Sequence, residues 1–172
     1  MKLSLYIPTY NEEKNSNIPL NSAYDLADEV LIVDGGSTDK TVEIAKSYGH
    51  KVRVLSVDNP SNFLINKQRA IDNAKGTWIL QLDADERLSD ELKAEILLWK
   101  SKVDEKIDGY WIPRKNWFLG RYLMKGGVYP DAVLRLYRRN KSHFELIHVH
   151  EHAQVNGKTT WTKHAIEHMA DP

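Results

Sequence analysis

Apolar positions in the first hundred residues fall into four short runs. Residues 2–7 are rich in β-formers and end at Pro8, Glu29–Asp34 is nearly all apolar before its final Asp, residues 51–56 alternate, and residues 78–83 read WILQLD. Near-continuous apolar strands suit a parallel sheet covered on both faces. Between them the spacing turns helical. Ser37 and Thr38 are good N-cap types before TVEIAKSYG, with Gly49 as its stop. Residues 63–74 place Phe63, Ala70, Ile71 and Ala74 on one face and stop at Gly76. Ser89 caps DELKAEILLWK, whose first turn carries Asp90 and Glu91 where the helix dipole favours them. This β-α alternation predicts an α/β fold with a doubly wound, mostly parallel sheet. Beyond Lys102, residues 110–113, 132–137 and 148–152 read as strands of a second half of the same fold. In VLRLYRR the alternation puts Arg135 on one face and Leu134 and Leu136 on the other.

Composition narrows the function. The 172 residues suffice for one domain. Lys plus Arg equals Asp plus Glu at 24 each, so the basic surplus of a nucleic-acid binder is absent. There are no cysteines, which excludes disulfides and thiolate metal sites. The opening MKLSLYIPTYNEE has too short an apolar run for a signal peptide, and no segment approaches the ~20 apolar residues of a membrane span. The expectation is a cytoplasmic protein, with peripheral contact at the inner face of a membrane if its acceptor is membrane-bound.

Ligands of parallel α/β sheets bind at the carboxyl ends of strands. Three polar clusters sit there: Pro8-Thr9-Tyr10-Asn11-Glu12, Asp34-Gly35-Gly36-Ser37 and Asp83-Ala84-Asp85-Glu86. Asp83 and Asp85, two apart after a buried strand, share one side if the extended geometry persists. Hard carboxylate oxygens suit Mg²⁺ or Mn²⁺, which also take diphosphate oxygens. The glycines after Asp34 let a flat base approach the backbone, with Asp34 accepting from it. Neither G-x-G-x-x-G nor G-x-x-x-x-G-K occurs, which disfavours dinucleotide and P-loop readings.

The ordered set resembles the family 2 glycosyltransferases of the GT-A fold. It is carried by IPTYNEE at 7–13, VDGGSTDKT at 33–41, NKQRAIDNAKG at 66–76 and WILQLDADERL, the D-x-D motif, at 78–88. Downstream, PRKNWFLGRYL, GGVYPDAVLRLYRR and VHEH resemble the subgroup that adds sugars to the lipopolysaccharide inner core. The resemblance implies a GT-A sheet, Rossmann-like and mostly parallel, with helices on both faces. It implies one domain over 1–172, with a nucleotide-sugar-binding half at 1–102 and an acceptor-binding half at 103–172. It also implies an inverting, metal-assisted transfer from a nucleotide-sugar donor, with UDP as the favoured nucleotide, to a glycan or lipid-linked acceptor, with Mn²⁺ or Mg²⁺ as cofactor. By this resemblance Pro8, Thr9, Tyr10 and Glu12 border the nucleoside and Asp34 meets the base. Lys67 or Arg69 lies near base or diphosphate, Asp83 and Ala84 lie at the donor, and Asp85 ligates the metal. The subgroup's members continue past the position of Pro172. Gly35 stands where the family often has Asp, and Ala70 where Asn is frequent.

The Glu-Asp pair that supplies the base in many relatives is absent, which leaves Asp131 and Glu151 as candidate catalytic bases. For a late metal-binding histidine, His168 comes first and His150 second. Trp117, Tyr129 and Arg135 are candidate acceptor contacts, since aromatic faces suit sugar rings and arginine suits phosphate. Two alternatives stay open. One is a nucleotide-sugar-binding module without catalysis. The other is a zinc hydrolase using His148, His150 and His152, which share a face if 148–152 is a strand.

Overall fold

The computed structural model describes residues 1–60, 62–146 and 152–169. In the first half, β1 (Leu3–Thr9), β2 (Glu29–Asp34), β3 (Val52–Ser56) and β4 (Trp78–Gln81) alternate with α1 (Asn17–Ala23), α2 (Thr41–Ser47) and α3 (Leu64–Asn73). A short β5 (Glu86–Leu88) leads into α4 (Asp90–Ser101). The second half is mostly strand: β6 (Gly109–Phe118), β7 (Arg121–Tyr122), β8 (Asp131–Arg138), β9 (Ser142–His143), β10 (Gln154–Val155), β11 (Thr159–Trp161) and β12 (Ile166–His168). The main sheet runs β3-β2-β1-β4-β8-β6-β12-β5. β1 to β4 pair in parallel, β8 enters antiparallel to both β4 and β6, and β12 runs parallel to β6. The predicted α/β sheet is therefore present, with antiparallel pairing where β8 joins β4 and β6 and where β12 meets β5.

Period-two alternation divides the core between the two faces of this sheet. Leu3, Leu5, Ile7, Val30, Ile32, Trp78 and Leu80 pack with Leu20, Leu92 and Ile96 of α1 and α4. Tyr6, Leu31, Val33 and Ile79 pack on the opposite face with Leu64, Ala70 and Ile71 of α3. Both faces are thus covered, which is why these strands read as continuous apolar runs. Each fully buried leucine contributes about 1.5–3 kcal/mol.

Several local expectations hold. Ser89 caps α4 through Leu92 N–H at 3.2 Å, and Gly49, at φ +124°, follows α2 as a C-terminal stop. Others are corrected. α2 starts at Thr41, as the TVEIAKSYG run predicts, but neither Ser37 nor Thr38 caps it: Ser37 donates to Asp34, and the Asp39 carboxylate receives Thr41 N–H at 3.0 Å. Phe63 does not join the core face of α3: Leu64 does, and Phe63 is half exposed. Gly76 is placed by close approach, not by helix termination. A Cβ there would lie 2.7 Å from the backbone nitrogen of Ser4.

β8 holds the main departure. Tyr110 faces Leu136 and Trp111 faces Leu134, so Arg135 is the extra residue of a β-bulge. The bulge reverses the alternation. Leu136 joins the first core and Leu134 the second, and Arg135 is buried between elements instead of facing outward.

Candidate functional site

The topology collects strand ends on one rim. The carboxyl ends of β1, β2 and β4 lie there. Because β8 runs antiparallel to β4, its amino end, Asp131, lies there too. β6 and β12, running back again, deliver Arg114, Asn116 and His168 to the same edge.

A cleft of about 360 Å³ opens beside β1 and β2. Of the predicted donor residues, Pro8, Thr9, Tyr10, Lys67 and Asp83 line it. Tyr6, Val33, Gly35, Asn59, Phe63 and Asn66 complete its wall, with the exposed Phe63 ring 4.9 Å from the Lys67 ammonium. Asp34 does not line the cleft. Its carboxylate accepts from Thr9 Oγ1 at 3.0 Å, Gly36 N at 3.1 Å, Ser37 N at 2.9 Å and Ser37 Oγ at 2.5 Å. It therefore shapes the turn that presents Gly35. Glu12 likewise organises its own loop, receiving Asn15 Nδ2 at 3.1 Å while its N–H donates to Thr41. Arg69 is drawn off by Asp58 and Asn66, which leaves the cleft position to Lys67.

The Asp83–Asp85 pair does not continue the strand. β4 ends at Gln81, and Glu86 N–H donates to Asp83 C=O at 3.0 Å, closing a β-turn. The two carboxylates consequently diverge. Asp83 takes Arg135 Nη2 at 2.7 Å and Nη1 at 3.3 Å. Burial alone would raise its pKa, but the Arg135 charge and hydrogen bond outweigh burial and hold it at about 2. Asp85 faces His168, with Nε2 3.1 Å from Oδ2. Ala84, between them, is buried.

The His168 ring is held by Asn116, whose Oδ1 lies 2.7 Å from Nδ1. The Asn116 amide nitrogen donates to Asp131 at 3.3 Å, which fixes the amide orientation. Nδ1 must therefore carry the hydrogen, and Nε2 meets the Asp85 oxygens with a lone pair unless a cation intervenes. A proton can serve, and the hydrogen bond to Asp85 raises the imidazole pKa against its partial burial. A divalent metal can serve equally. One carboxylate and one imidazole with open positions beside them fit Mn²⁺ or Mg²⁺ that takes its remaining ligands from a diphosphate. Among the described residues no group of three or more metal-binding side chains occurs. His148, His150 and Glu151 lie outside the described residues, so the histidine-face and Glu151 expectations fall there.

Asp131 pairs across the strands with Arg114. Arg114 Nε at 2.9 Å, Arg114 Nη2 at 2.6 Å and Asn116 Nδ2 at 3.3 Å all go to its Oδ2. Burial opposes ionisation, but these donors lower the pKa below the usual carboxylate value. Asp131 borders a polar recess of about 210 Å³ that shares Lys67 and Asp83 with the cleft beside β1 and β2. Beneath lies Glu86, with no exposed surface. Its Oε1 receives Arg114 Nη1 and Arg135 Nη2, both at 3.2 Å, and its Oε2 receives Asp83 N–H at 2.9 Å. One buried carboxylate thus ties the acidic turn to Asp131. Arg135 is a strut of this network and also lines the recess. Trp117 and Tyr129 line neither cavity, and Trp117 packs edge-on to Tyr122 at 5.0 Å.

The family model described as glycosyl transferase family 2 matches residues 4–159. The chain belongs to this family. An uncharacterized glycosyltransferase of Rickettsia typhi is 33% identical over 144 residues, covering 83% of this chain and 48% of the relative. The lipopolysaccharide core biosynthesis glycosyltransferase LpsC of Rhizobium meliloti is 32% identical over 155 residues, covering 88% and 56%. The chain spans about half the length of these two relatives. Among solved structures, TarS of S. aureus in complex with UDP-GlcNAc matches with a TM-score of 0.73 at 21% identity, over 100% of this chain and 59% of that one. The GT-A fold of the family 2 glycosyltransferases is thereby shared.

Within this site, sequence reasoning placed Glu86 in the acidic cluster without a role of its own and missed Asn116, Asn59 and Asn66. Glu86 directly follows the acidic pair, and a polar residue ending a buried apolar stretch was the one signal available. Arg114 and Asn116 are two apart in a strand and so share a face, but only the register with β8 and β12 gives that face its meaning.

Proposed function

We propose that this family 2 chain transfers a sugar from a UDP-sugar to a glycan or lipid-linked acceptor with inversion, assisted by Mn²⁺ or Mg²⁺. One observation carries the reading: Asn116 bonds both His168 of the Asp85–His168 pair and the candidate base Asp131, beside a cleft that fits a nucleoside. Solved relatives of this fold support the donor and the metal. TarS binds UDP-GlcNAc, and the glucosyl-3-phosphoglycerate synthase of Mycobacterium tuberculosis was crystallised with Mn²⁺ and UDP-glucose. LpsC supports an acceptor in the lipopolysaccharide core.

Residues 1–102 supply the nucleoside wall, and residues 103–169 supply the base and the late histidine. The base or ribose lies between Gly35, Phe63 and Lys67, with Asp83 beneath. Asp85 and His168 would hold the metal, which would supply Lewis-acid stabilisation of the leaving diphosphate. Lys67 adds positive charge at the mouth of the recess. The acceptor hydroxyl gives its proton to Oδ1 of Asp131, while Arg114 and Asn116 hold Oδ2 and so orient the carboxyl group. A single base opposite the leaving group gives one displacement and inverted stereochemistry.

A second reading is a nucleotide-sugar-binding module without transfer. It is favoured by the depressed Asp131 pKa, which weakens that group as a base. The test is calorimetric titration of UDP and UDP-sugars, with and without Mn²⁺, into the wild type and Asp85→Ala, followed by a UDP-release assay. Mn²⁺-dependent binding lost in the variant, together with UDP release, is the expected result. Binding that ignores Asp85 refutes the metal assignment. Binding without release from any UDP-sugar selects the module.

A further inference from the structure

β6 outruns its sheet. Its residues up to Asn116 pair with β8, β11 or β12, while Trp117 and Phe118 pair only with β7. The hairpin turns at Leu119 and Gly120, both at positive φ, and its tip is apolar and open: Phe118 is 46% and Leu119 71% exposed. Met124 and Val128 follow, 45% and 39% exposed. The cations Lys115, Arg121 and Lys125 interleave with them, and no carboxylate occurs from Lys115 to Pro130. In a chain of zero net charge this is a local concentration of positive charge. The opposite side of the hairpin is packed, with Trp117 against Tyr122 and the Lys115 ammonium 6.0 Å from the Tyr122 ring centre. The outward Leu97 and Leu98 of α4 differ, because that helix mixes Asp90, Glu91 and Glu95 with Lys93 and Lys100.

We infer that the β6–β7 hairpin, with the segment through Val128, is a docking surface for an anionic lipid layer. Apolar tips enter the boundary between headgroups and acyl chains, and neighbouring lysine and arginine heads remain with the anionic headgroups. The same strand carries Arg114, which holds Asp131. Four residues separate Arg114 from Phe118, about 13 Å at the rise of a β-strand. Docking by the tip therefore sets the candidate base at the height of sugars that project from a membrane. This height argument rests on the glycosyltransferase reading, whereas the lipid contact itself does not.

The test is co-sedimentation of the chain with vesicles of phosphatidylcholine alone and with vesicles of equal phosphatidylcholine and phosphatidylglycerol, at low and high salt. Expected is binding to the mixed vesicles, weakened by salt and by omission of phosphatidylglycerol. Phe118→Ser/Leu119→Ser and Arg121→Glu/Lys125→Glu should each lower it at least tenfold. No binding to mixed vesicles at low salt overturns the inference, as does binding that survives both variants. Concentration-dependent self-association abolished by Phe118→Ser/Leu119→Ser, seen in sedimentation velocity, overturns it in favour of a second copy of the chain. UDP titration of the same samples separates the two claims. Vesicle binding without UDP binding leaves the lipid surface standing and removes the UDP-sugar reading of the site.

Discussion

Replacing Arg135 with Met keeps an unbranched side chain in the bulge and removes the cation that joins Asp83 to Glu86. Arg135 is 7% exposed at its side chain and Glu86 not at all. After the change, Glu86 keeps Arg114 Nη1, at 3.2 Å, as its one cationic partner and the Asp83 N–H at 2.9 Å, and it faces the Asp83 carboxylate without the intervening guanidinium. Removing one partner of a buried ion pair costs about 3–5 kcal/mol, because the remaining charge stays desolvated. A domain of this size loses about 2–4 °C per kcal/mol, so Tm should fall by about 6–20 °C. Urea unfolding with an unchanged m-value would confirm that the loss is one of stability. The Arg135→Met/Glu86→Gln double variant should be more stable than the sum of the single effects predicts, since the two groups couple directly. Acid gives a second signature. Asp83 has a folded pKa of about 2, below the ordinary carboxylate value. Its ionised form therefore contributes stability above the ordinary pKa of about 3.9 that is lost as pH falls toward the folded one. Arg135→Met removes that component, so its stability should decline less steeply between these values. Mn²⁺-dependent UDP binding should weaken too, because the turn bearing Asp83 and Asp85 loses its anchor. A Tm within about 2 °C of wild type, corresponding to less than about 1 kcal/mol, would refute the strut assignment. So would full additivity in the double variant.

Asp131→Asn should leave UDP affinity unchanged and lower the transfer rate by about 10²–10⁴, the usual contribution of a general base; an undiminished UDP-release rate would remove Asp131 from that role. Mn²⁺-dependent UDP affinity should fall with pH on the alkaline side of 6.5, since the raised His168 pKa puts a proton on Nε2 in competition with the metal; titrations at stepped pH that give one affinity throughout would separate His168 from the metal. Gly76→Ala should destabilise by about 1–3 kcal/mol, because its Cβ would meet the Ser4 backbone nitrogen at 2.7 Å; a neutral melting temperature would show that the two segments can part.

How much of this was legible in advance differs by element. The four strands of the first half, the α4 cap at Ser89 and the cleft residues Pro8, Thr9 and Tyr10 could be read directly, because each depends on local periodicity or on a polar group at a strand end. Asp34 shows where that reading stops. Its place at the end of β2 was plain, but its four internal donors come from Thr9 on the neighbouring strand and from the way its own turn folds back. Arg69 and Lys67 look equivalent in the chain, and only the position of Asp58 separates them.

Arg135 marks the deeper limit. Alternation in VLRLYRR is a correct local rule, and a one-residue bulge cancels it. A bulge is a property of two paired strands, and its trace lies in the register between β6 and β8 instead of in either strand alone. Asp131, Asn116, His168 and Asp85 are separated by up to 83 positions along the chain and meet through side chains on three strands and a turn. By itself the sequence determined the α/β layering, the polar strand ends and the kind of chemistry available, because side-chain period and turn composition act over a few residues. Tertiary structure alone decided which carboxylate faces a buried arginine, which faces a histidine and which is held by Arg114 and Asn116, because those pairings depend on distances between strands that the chain brings together only on folding.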